Sequence, residues 1–160
     1  MRELVQVFQD AGCRDVRTYI QSGNVAFKAD IESVEHFTAD VSARLLGRHG
    51  FSPAVRILSA VALRKVVSAN PYPEAVADPA SLHVFFLQAS PQPPLIDAAK
   101  RLLAGGERFT VDDGVLYLHA PDGIGRSRLV SRLDRVLRME TTARNWRTLS
   151  KLVELTTLIG

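Results

Sequence analysis

The predicted strands and helices occur in a similar order twice along this chain, and this repetition limits the folds that the chain can adopt. Two tight turns, at Ser22-Gly23-Asn24 and Asp112-Asp113-Gly114, each join two short segments rich in β-branched and aromatic residues. Their glycines lie 91 residues apart. A predicted helix precedes and follows each hairpin, so the pattern indicates two copies of one supersecondary unit.

The second copy begins with the most apolar segment of the chain, Leu82–Leu87. A nearly continuous apolar run is typical of a central strand that is buried on both faces. The segments that follow predict a helix, a hairpin, a helix capped by Ser127, a short strand and a last helix capped by Asn145. They span residues 96–103, 108–119, 127–137, 141–143 and 145–158. The resulting order, β-α-β-β-α-β with an extra helix, is that of the ferredoxin-like fold.

The first copy lacks the equivalent of the strand 82–87. Its predicted elements are a helix, two strands, a helix capped by Asp30, a third strand and a third helix, at residues 2–11, 16–20, 24–28, 30–45, 51–58 and 59–69. The alignment of the copies places the absent strand before Met1. In the ferredoxin-like strand order 4-1-3-2 that strand is central, so we expect exposed edges at 24–28 and 53–58 through which two copies of the chain pair as a homodimer.

The predicted fold class is therefore α+β, with two ferredoxin-like subdomains (βαββαβ plus one helix), the first lacking its first strand. The first subdomain covers residues 1–69, and the second covers residues 81–160. Residues 70–80 contain three prolines and are predicted to be a linker.

The composition indicates a cytoplasmic protein whose anionic partner binds near the C-terminus. Hydrophobic residues make up 46% of the chain, but no apolar run approaches the roughly 20 residues of a membrane span. The single cysteine, Cys13, excludes an internal disulfide and is interpreted as structural. Residues 1–120 carry 12 basic and 13 acidic side chains, whereas residues 121–160 carry 8 basic and 4 acidic ones. The excess of positive charge is therefore local.

The stretch Asp122-Gly123-Ile124-Gly125-Arg126-Ser127 is the first candidate site. Gly123 and Gly125 allow a close approach of the backbone to a ligand, and the helix that follows offers free N–H groups to an anion. Arg126 adds a charge-assisted contact to phosphate. The alternative is a glycine loop that ends in a helix cap at Ser127.

A row of arginines on the same predicted helix is the second candidate. Arg128, Arg132 and Arg135 share one helical face and predict contacts with a nucleic-acid backbone. The alternative is an ordinary solvated face.

The stretch Arg144-Asn145-Trp146-Arg147 is the third candidate. An indole flanked by two arginines is typical of proteins that stack single-stranded bases. The alternative is that Trp146 anchors the last helix in the core and Asn145 caps it. The first hairpin completes the set of predicted ligand contacts, because Gln21, Ser22 and Asn24 are more polar than a tight turn requires.

The sequence predicts no metal site and no cofactor, and it identifies no catalytic residues. The four histidines, His36, His49, His83 and His119, do not have the spacing of metal ligands. His83 and His119 fall on predicted strands and are interpreted as structural.

Three stretches resemble an uncharacterised bacterial family, domain-of-unknown-function family 1697. They are Arg17–Val25, Asp122–Ser127 and Thr142–Thr148, and the resemblance extends over essentially the whole chain. It implies two related α+β subdomains and an additional N-terminal strand with the loop Arg-Gly-Ile-Asn-Val-Gly-Gly, which this sequence lacks. It implies no activity.

Three hypotheses of function therefore remain open. The first is a non-catalytic protein that binds nucleic acid or a phosphorylated small molecule. The second is an enzyme that acts on a phosphorylated metabolite, with Gln21, Asn24, Arg126 and Asn145 orienting the substrate. The third is a protein-interaction module that uses a sheet edge.

Overall fold

The computed structural model describes residues 1–20 and 23–160. By their contacts these residues form two compact units. The first unit comprises Met1–Lys65 and Ser150–Gly160, and the second unit comprises Val66–Leu149. Both contain helices and strands, which confirms the α+β class. The division into 1–69, 70–80 and 81–160, and the duplication on which it depends, stay predictions.

The first unit is built on the predicted hairpin. Its elements are α1 (Arg2–Asp10), β1 (Arg14–Tyr19), β2 (Asn24–Lys28), α2 (Val34–His49), the start of α3 (Ala60–Ser68) and the end of α6 (Trp146–Ile159). β1 and β2 are antiparallel, with Tyr19 opposite Asn24 and Arg17 opposite Ala26. Gly12 ends α1 as predicted. Its φ of 87° allows the N–H of Cys13 to reach the carbonyl oxygen of Phe8 at 2.9 Å, as in a Schellman motif.

The two faces of this hairpin pack against different helices. On one face, the Phe27 ring lies 5.0 Å from the Phe8 ring of α1 and 5.6 Å from the Phe37 ring of α2, as measured between centroids. Val7 and Val41, which are almost completely buried, belong to the same cluster. On the other face, Ala26 packs in a smaller cluster with residues of α6. The hairpin is thus covered on both faces.

Two predictions for the first unit are wrong. Residues 51–58 form no strand, because a strand exists only where its backbone finds a ladder partner and none of the described residues offers one. The α2 helix is not capped at Asp30. It begins at Val34, because the Ser33 hydroxyl accepts a hydrogen bond from the His36 N–H at 3.3 Å.

The second unit contains a four-stranded antiparallel sheet. Its elements are β3 (Leu82–Phe86), α4 (Pro93–Lys100), β4 (Arg108–Asp112), β5 (Val115–His119), α5 (Arg128–Leu137), β6 (Thr142–Asn145) and the start of α6. The strand order is β4-β5-β3-β6, so β3 is central, as its apolar sequence predicts. All five of its residues are buried.

One face of this sheet packs against α4 and α5. Its core includes Phe85 of β3, Leu118 of β5, Ala99 of α4, and Leu129 and Leu133 of α5. The two predicted caps are confirmed by geometry. The Ser127 hydroxyl accepts a hydrogen bond from the Val130 N–H at 3.2 Å, and the Asn145 side-chain oxygen accepts one from the Thr148 N–H at 2.9 Å.

Residues 70–80, the predicted linker, contain short turns of 3₁₀-helix. They are Pro73–Ala77 and Pro79–Ser81, and both begin at a proline. Tyr72 is buried, and its hydroxyl lies 2.8 Å from the Thr110 hydroxyl of β4. This segment therefore packs against the sheet.

Candidate functional site

The loop 122–127 and the start of α6 lie at the same end of the four-stranded sheet. His119, the last residue of β5, is opposite Leu82 of β3, and Asn145, the last residue of β6, is opposite His83. Because β3 alone separates β5 from β6, the two connections leave the sheet about 10 Å apart. Two of the three candidate stretches are therefore neighbours within one unit.

The loop itself presents its polar residues to solvent. Gly123, Gly125 and Arg126 are exposed, whereas Ser127 is buried as the cap of α5. Gly123 needs its φ of 81°, and its N–H donates to the Ala120 carbonyl oxygen at 2.9 Å. A Cβ atom at either glycine would meet no atom of the described chain within 4 Å. The loop is therefore open on its outer side, with Arg126 at its end.

The arginines of the α5 row are all exposed to solvent. The helix buries Leu129, Leu133 and Leu137, and it exposes an arginine face that consists of Arg128, Arg132 and Arg135. No arginine of this face forms an ion pair with any residue that the structure describes. The acidic residue of the same helix, Asp134, accepts a hydrogen bond from the Thr141 hydroxyl at 2.7 Å.

Four exposed arginines elsewhere in the described chain are paired with carboxylates, although others, such as Arg2, Arg17 and Arg56, are not. Arg14 pairs with Asp30, Arg44 with Asp40 and Arg48 with Asp10, at distances of 3.4, 2.8 and 3.0 Å between nitrogen and oxygen. Arg108 pairs with Glu74. Unlike these four, the arginines of the α5 face have no acidic partner among the described residues.

The third stretch is divided between core and surface. Trp146 is only 5% exposed, which fits the alternative that it anchors α6 in the core, and base stacking by Trp146 stays a prediction. The Arg144 guanidinium donates to the Ala143 carbonyl oxygen at 2.7 Å, and partial burial lowers the pKa of this group. The side-chain oxygen of Asn145 accepts the hydrogen bond that caps α6. Arg147 remains exposed at the surface.

The candidates in the first hairpin are placed only in part. Gln21 and Ser22 lie outside the described residues. Asn24 is 4% exposed, and its amide donates to the Tyr19 carbonyl oxygen at 3.4 Å across the turn. The polar side chain of Asn24 therefore stabilises the hairpin through this hydrogen bond. The geometry brings Asn24 into the structure of the turn rather than to the surface.

Sequence reasoning missed a polar cluster around Arg108. The Arg108 guanidinium carbon lies 4.6 Å from the centre of the Tyr72 ring, and its Nε donates to Nδ1 of His119 at 3.4 Å. The Glu74 carboxylate completes the cluster, and its hydrogen bonds and Arg108 lower its pKa. The register around Gly114 would have predicted the Arg108–His119 pair, but the contribution of residues 72–74 is a tertiary contact. The cluster engages Arg108 on three sides.

Two further findings concern the described residues as a set. Within residues 1–20 and 23–160, no three His, Cys, Asp or Glu side chains are grouped so that they could hold a metal ion. In the same part of the chain, no helix combines the length and the apolar character that crossing a membrane requires.

Cys13 is buried, and burial raises the pKa of its thiol, as expected of a structural cysteine.

Comparison with known proteins identifies the family. A solved structure, that of the conserved bacterial protein SP0830 from Streptococcus pneumoniae, superposes with a TM-score of 0.75 at 19% sequence identity. The match covers 98% of this chain and 88% of that chain, and at this identity it shows a shared fold. No curated protein matches the chain. The family described as "Protein of unknown function (DUF1697)" matches residues 1–117, and the chain belongs to this family.

Proposed function

We propose that the second unit binds a polyanion, single-stranded nucleic acid, on the arginine face of α5. The observation that carries this proposal is that Arg128, Arg132 and Arg135 are exposed and form no ion pair with the described residues. Guanidinium groups hold phosphates through paired hydrogen bonds as well as charge. An arginine face without acidic partners is therefore available to a phosphate backbone.

The spacing along α5 supports a ligand with several charges. Arg128 and Arg135 are seven residues apart, which is about 10 Å along a helix axis at 1.5 Å per residue. A single phosphate cannot contact both ends of such a row, whereas a chain of phosphates can. The polyanion hypothesis is therefore favoured over a small phosphorylated metabolite for this surface.

The loop before α5 extends the same surface. Arg126 is exposed at the N-terminal end of the helix, where the helix dipole also favours negative charge. Arg147, which is also exposed, lies at the start of α6, where the chain leaves β6 at the same end of the sheet. We include both in the proposed interface and leave Trp146 out, because its ring is buried.

The proposal also includes two sequence predictions, the ferredoxin-like fold of the second unit and the cytoplasmic location. The order β3-α4-β4-β5-α5-β6 and the strand order β4-β5-β3-β6 support the inference that the second unit is ferredoxin-like. We also propose that the binding takes place in the cytoplasm. The single cysteine of this chain cannot form an internal disulfide, and proteins without disulfides are typical of that compartment.

The test is the salt dependence of oligonucleotide binding. Fluorescence anisotropy with a mixed-sequence single-stranded oligonucleotide gives the affinity of the wild type and of the triple variant Arg128→Gln, Arg132→Gln, Arg135→Gln at several salt concentrations. Each lost phosphate contact removes about 0.7 from the log–log slope for single strands, so the triple variant is expected to lose about 2. Its fold should be retained because all three side chains are exposed.

A matched control separates this surface from net charge. Arg14→Gln, Arg44→Gln and Arg48→Gln remove the same total charge from arginines that are already paired with carboxylates. This control is expected to keep most of the wild-type slope. No binding by the wild type at low salt, or an equal loss in the control, would refute the proposal.

A further inference from the structure

The end of α4 lies beside the start of α5, at the same end of the four-stranded sheet. Arg108, the first residue of β4, is opposite His119, the last residue of β5, so the connection that leaves α4 and the connection that enters α5 meet there. The two connections touch, because a Cβ atom at Gly105 would lie 3.3 Å from Oδ2 of Asp122. Since α4 and α5 pack against one face of the sheet and against each other, they run side by side in opposite directions.

Arg101 at the end of α4 points away from the sheet, as the arginine face of α5 does. Its φ of −67° and ψ of −15° continue the helical conformation of α4. It follows the completely buried Ala99 by two residues, which is a rotation of about 200° around the helix axis. Arg128 and Arg135 are rotated by a similar angle from Leu133, which is buried against the sheet. The three arginines therefore extend from the outer surface of the helix layer.

The positive charge of α5 continues onto the end of α4. Arg101 and its neighbour Lys100 are both exposed, and no ion pair within residues 1–20 and 23–160 includes either of them. The residues that meet at this junction, 100–107 and 121–128, carry four basic and two acidic side chains: Lys100, Arg101, Arg126 and Arg128 against Glu107 and Asp122. The junction is therefore a positively charged surface that two helices share.

We propose that the nucleic acid crosses from the arginine face of α5 onto Arg101 of α4. This inference rests on the proposed function and adds a contact and a direction to it. The axes of packed helices are about 8–10 Å apart, and Arg128 and Arg135 are about 10 Å apart along α5. Arg101 is thus one further step of similar length, and a guanidinium group at this place holds a phosphate as those of α5 do.

Asp97 sets the limit of this path on α4. It is exposed and lies four residues before Arg101, so the two side chains share one helical face. Its carboxylate repels a phosphate, and residues 93–96, which precede it in α4, include no basic side chain. The strand therefore contacts the C-terminal end of α4 and no more of this helix.

The first test is the salt dependence of binding by Arg101→Gln. Fluorescence anisotropy with the same single-stranded oligonucleotide should give a log–log slope about 0.7 smaller than that of the wild type, as for the loss of one phosphate contact. Arg56→Gln is the matched control, because Arg56 is exposed, forms no ion pair with the described residues and belongs to the first unit. It should keep the wild-type slope. Thermal denaturation should show that both variants stay folded, since the changes are at the surface.

Oligonucleotide length provides a second readout of the path. The salt slope increases with the length of the oligonucleotide until every contact of the site is made. The wild type should reach its final slope at a greater length than Arg101→Gln, because its site extends over two helices. Identical length dependence in the two proteins would contradict a crossing onto α4.

Asp97→Asn tests the path in the opposite direction. Removal of this carboxylate should tighten binding, because the strand no longer ends against a negative charge. Glu32→Gln makes the same change in net charge at an exposed position of the first unit and should have a smaller effect. Equal effects of the two variants would mean that the strand does not approach α4.

The outcomes separate this inference from the proposed function. No binding by the wild type at low salt would refute both. A loss of slope in the triple variant of α5 together with an unchanged slope in Arg101→Gln would refute the crossing alone, and it would confine the strand to α5.

Discussion

The hydroxyl of Tyr117 on β5 donates a hydrogen bond to the carbonyl oxygen of Val66 in α3, at 2.7 Å. Tyr117 is 1% exposed. A buried phenol is tolerated because this bond satisfies its polar end. Burial raises the pKa of Tyr117 to about 12, and the carboxylates of Asp112 and Asp113 contribute to the same shift.

The Tyr117 pair predicts how the protein responds to alkaline pH. The folded-state pKa is raised, so the contribution of Tyr117 is complete below about pH 10 and is lost between about pH 10 and 12, because the unfolded chain releases the proton first. Each pH unit in that window removes at most about 1.4 kcal/mol from the free energy of unfolding. Urea denaturation at several pH values measures this slope.

Tyr117→Phe is the matched variant for that measurement. It should lose about 1 kcal/mol at neutral pH, because the hydrogen bond to Val66 is gone. It should also show a shallower decline above pH 10 than the wild type, while all other titrating groups are unchanged. Equal alkaline slopes in the two proteins would contradict the assigned role of Tyr117.

His83 predicts the response to acid. It is 8% exposed on β3, burial lowers its pKa, and its Nδ1 finds no hydrogen-bond partner among the described residues. The unfolded chain therefore binds the proton first as the pH falls below about 6.5, and the free energy of unfolding decreases toward the lower folded-state pKa. His83→Leu should reduce this decrease. Because it also removes an unsatisfied buried nitrogen, it should not destabilise the protein at neutral pH.

His36→Leu provides the comparison for His83. His36 is exposed on α2, so its replacement controls for the general effect of exchanging a histidine for a leucine. The same urea titrations between about pH 7 and 5 measure all three proteins. An acid slope that His83→Leu does not change would show that other groups control the response.

Trp146 and Arg147 are neighbours in sequence with opposite expected effects on stability. Trp146 is buried, so Trp146→Ala should lower the free energy of unfolding by about 3–5 kcal/mol, as for other large core residues. Arg147→Ala changes an exposed side chain and should stay within about 0.5 kcal/mol of the wild type. Chemical denaturation measures both. A small effect of Trp146→Ala would indicate that the indole is exposed and free to stack on bases.

The second unit was largely predictable because its signals are local. The apolar run of β3, the turn at Gly114 and the caps Ser127 and Asn145 each depend on residues close to one another in sequence. The arginine face of α5 was predictable in the same way, from helical periodicity.

The errors concern interactions that are distant in sequence. The segment 51–58 has the composition of a strand, but a strand requires a neighbouring strand, and composition does not supply one. The choice between core and surface for Trp146 depends on which elements pack over it. The engagement of Arg108 by Tyr72 and Glu74 likewise joins residues 36 and 34 positions apart. The pairing state of each arginine, on which the proposed function rests, is information of this kind.

Gly123 and Gly125 have different roles in the loop before α5, although they are two residues apart. Gly123 has a φ of 81°, which strains any L-residue, whereas the φ of Gly125 lies outside the left-handed region. Neither position would bring a Cβ atom within 4 Å of another described residue. Gly123→Ala should therefore lower the free energy of unfolding by about 1–2 kcal/mol through backbone strain alone.

Gly125→Ala is the control with the same chemical change. It should be neutral or raise the free energy of unfolding by up to about 1 kcal/mol, because alanine restricts the unfolded chain without straining the folded one. Thermal and urea denaturation of the two variants measure the difference. Because Arg126 follows this loop, oligonucleotide binding by Gly125→Ala should match the wild type, whereas the strained loop of Gly123→Ala should bind less tightly. Equal stabilities of the two variants would mean that the positive φ of Gly123 does not determine the shape of the loop.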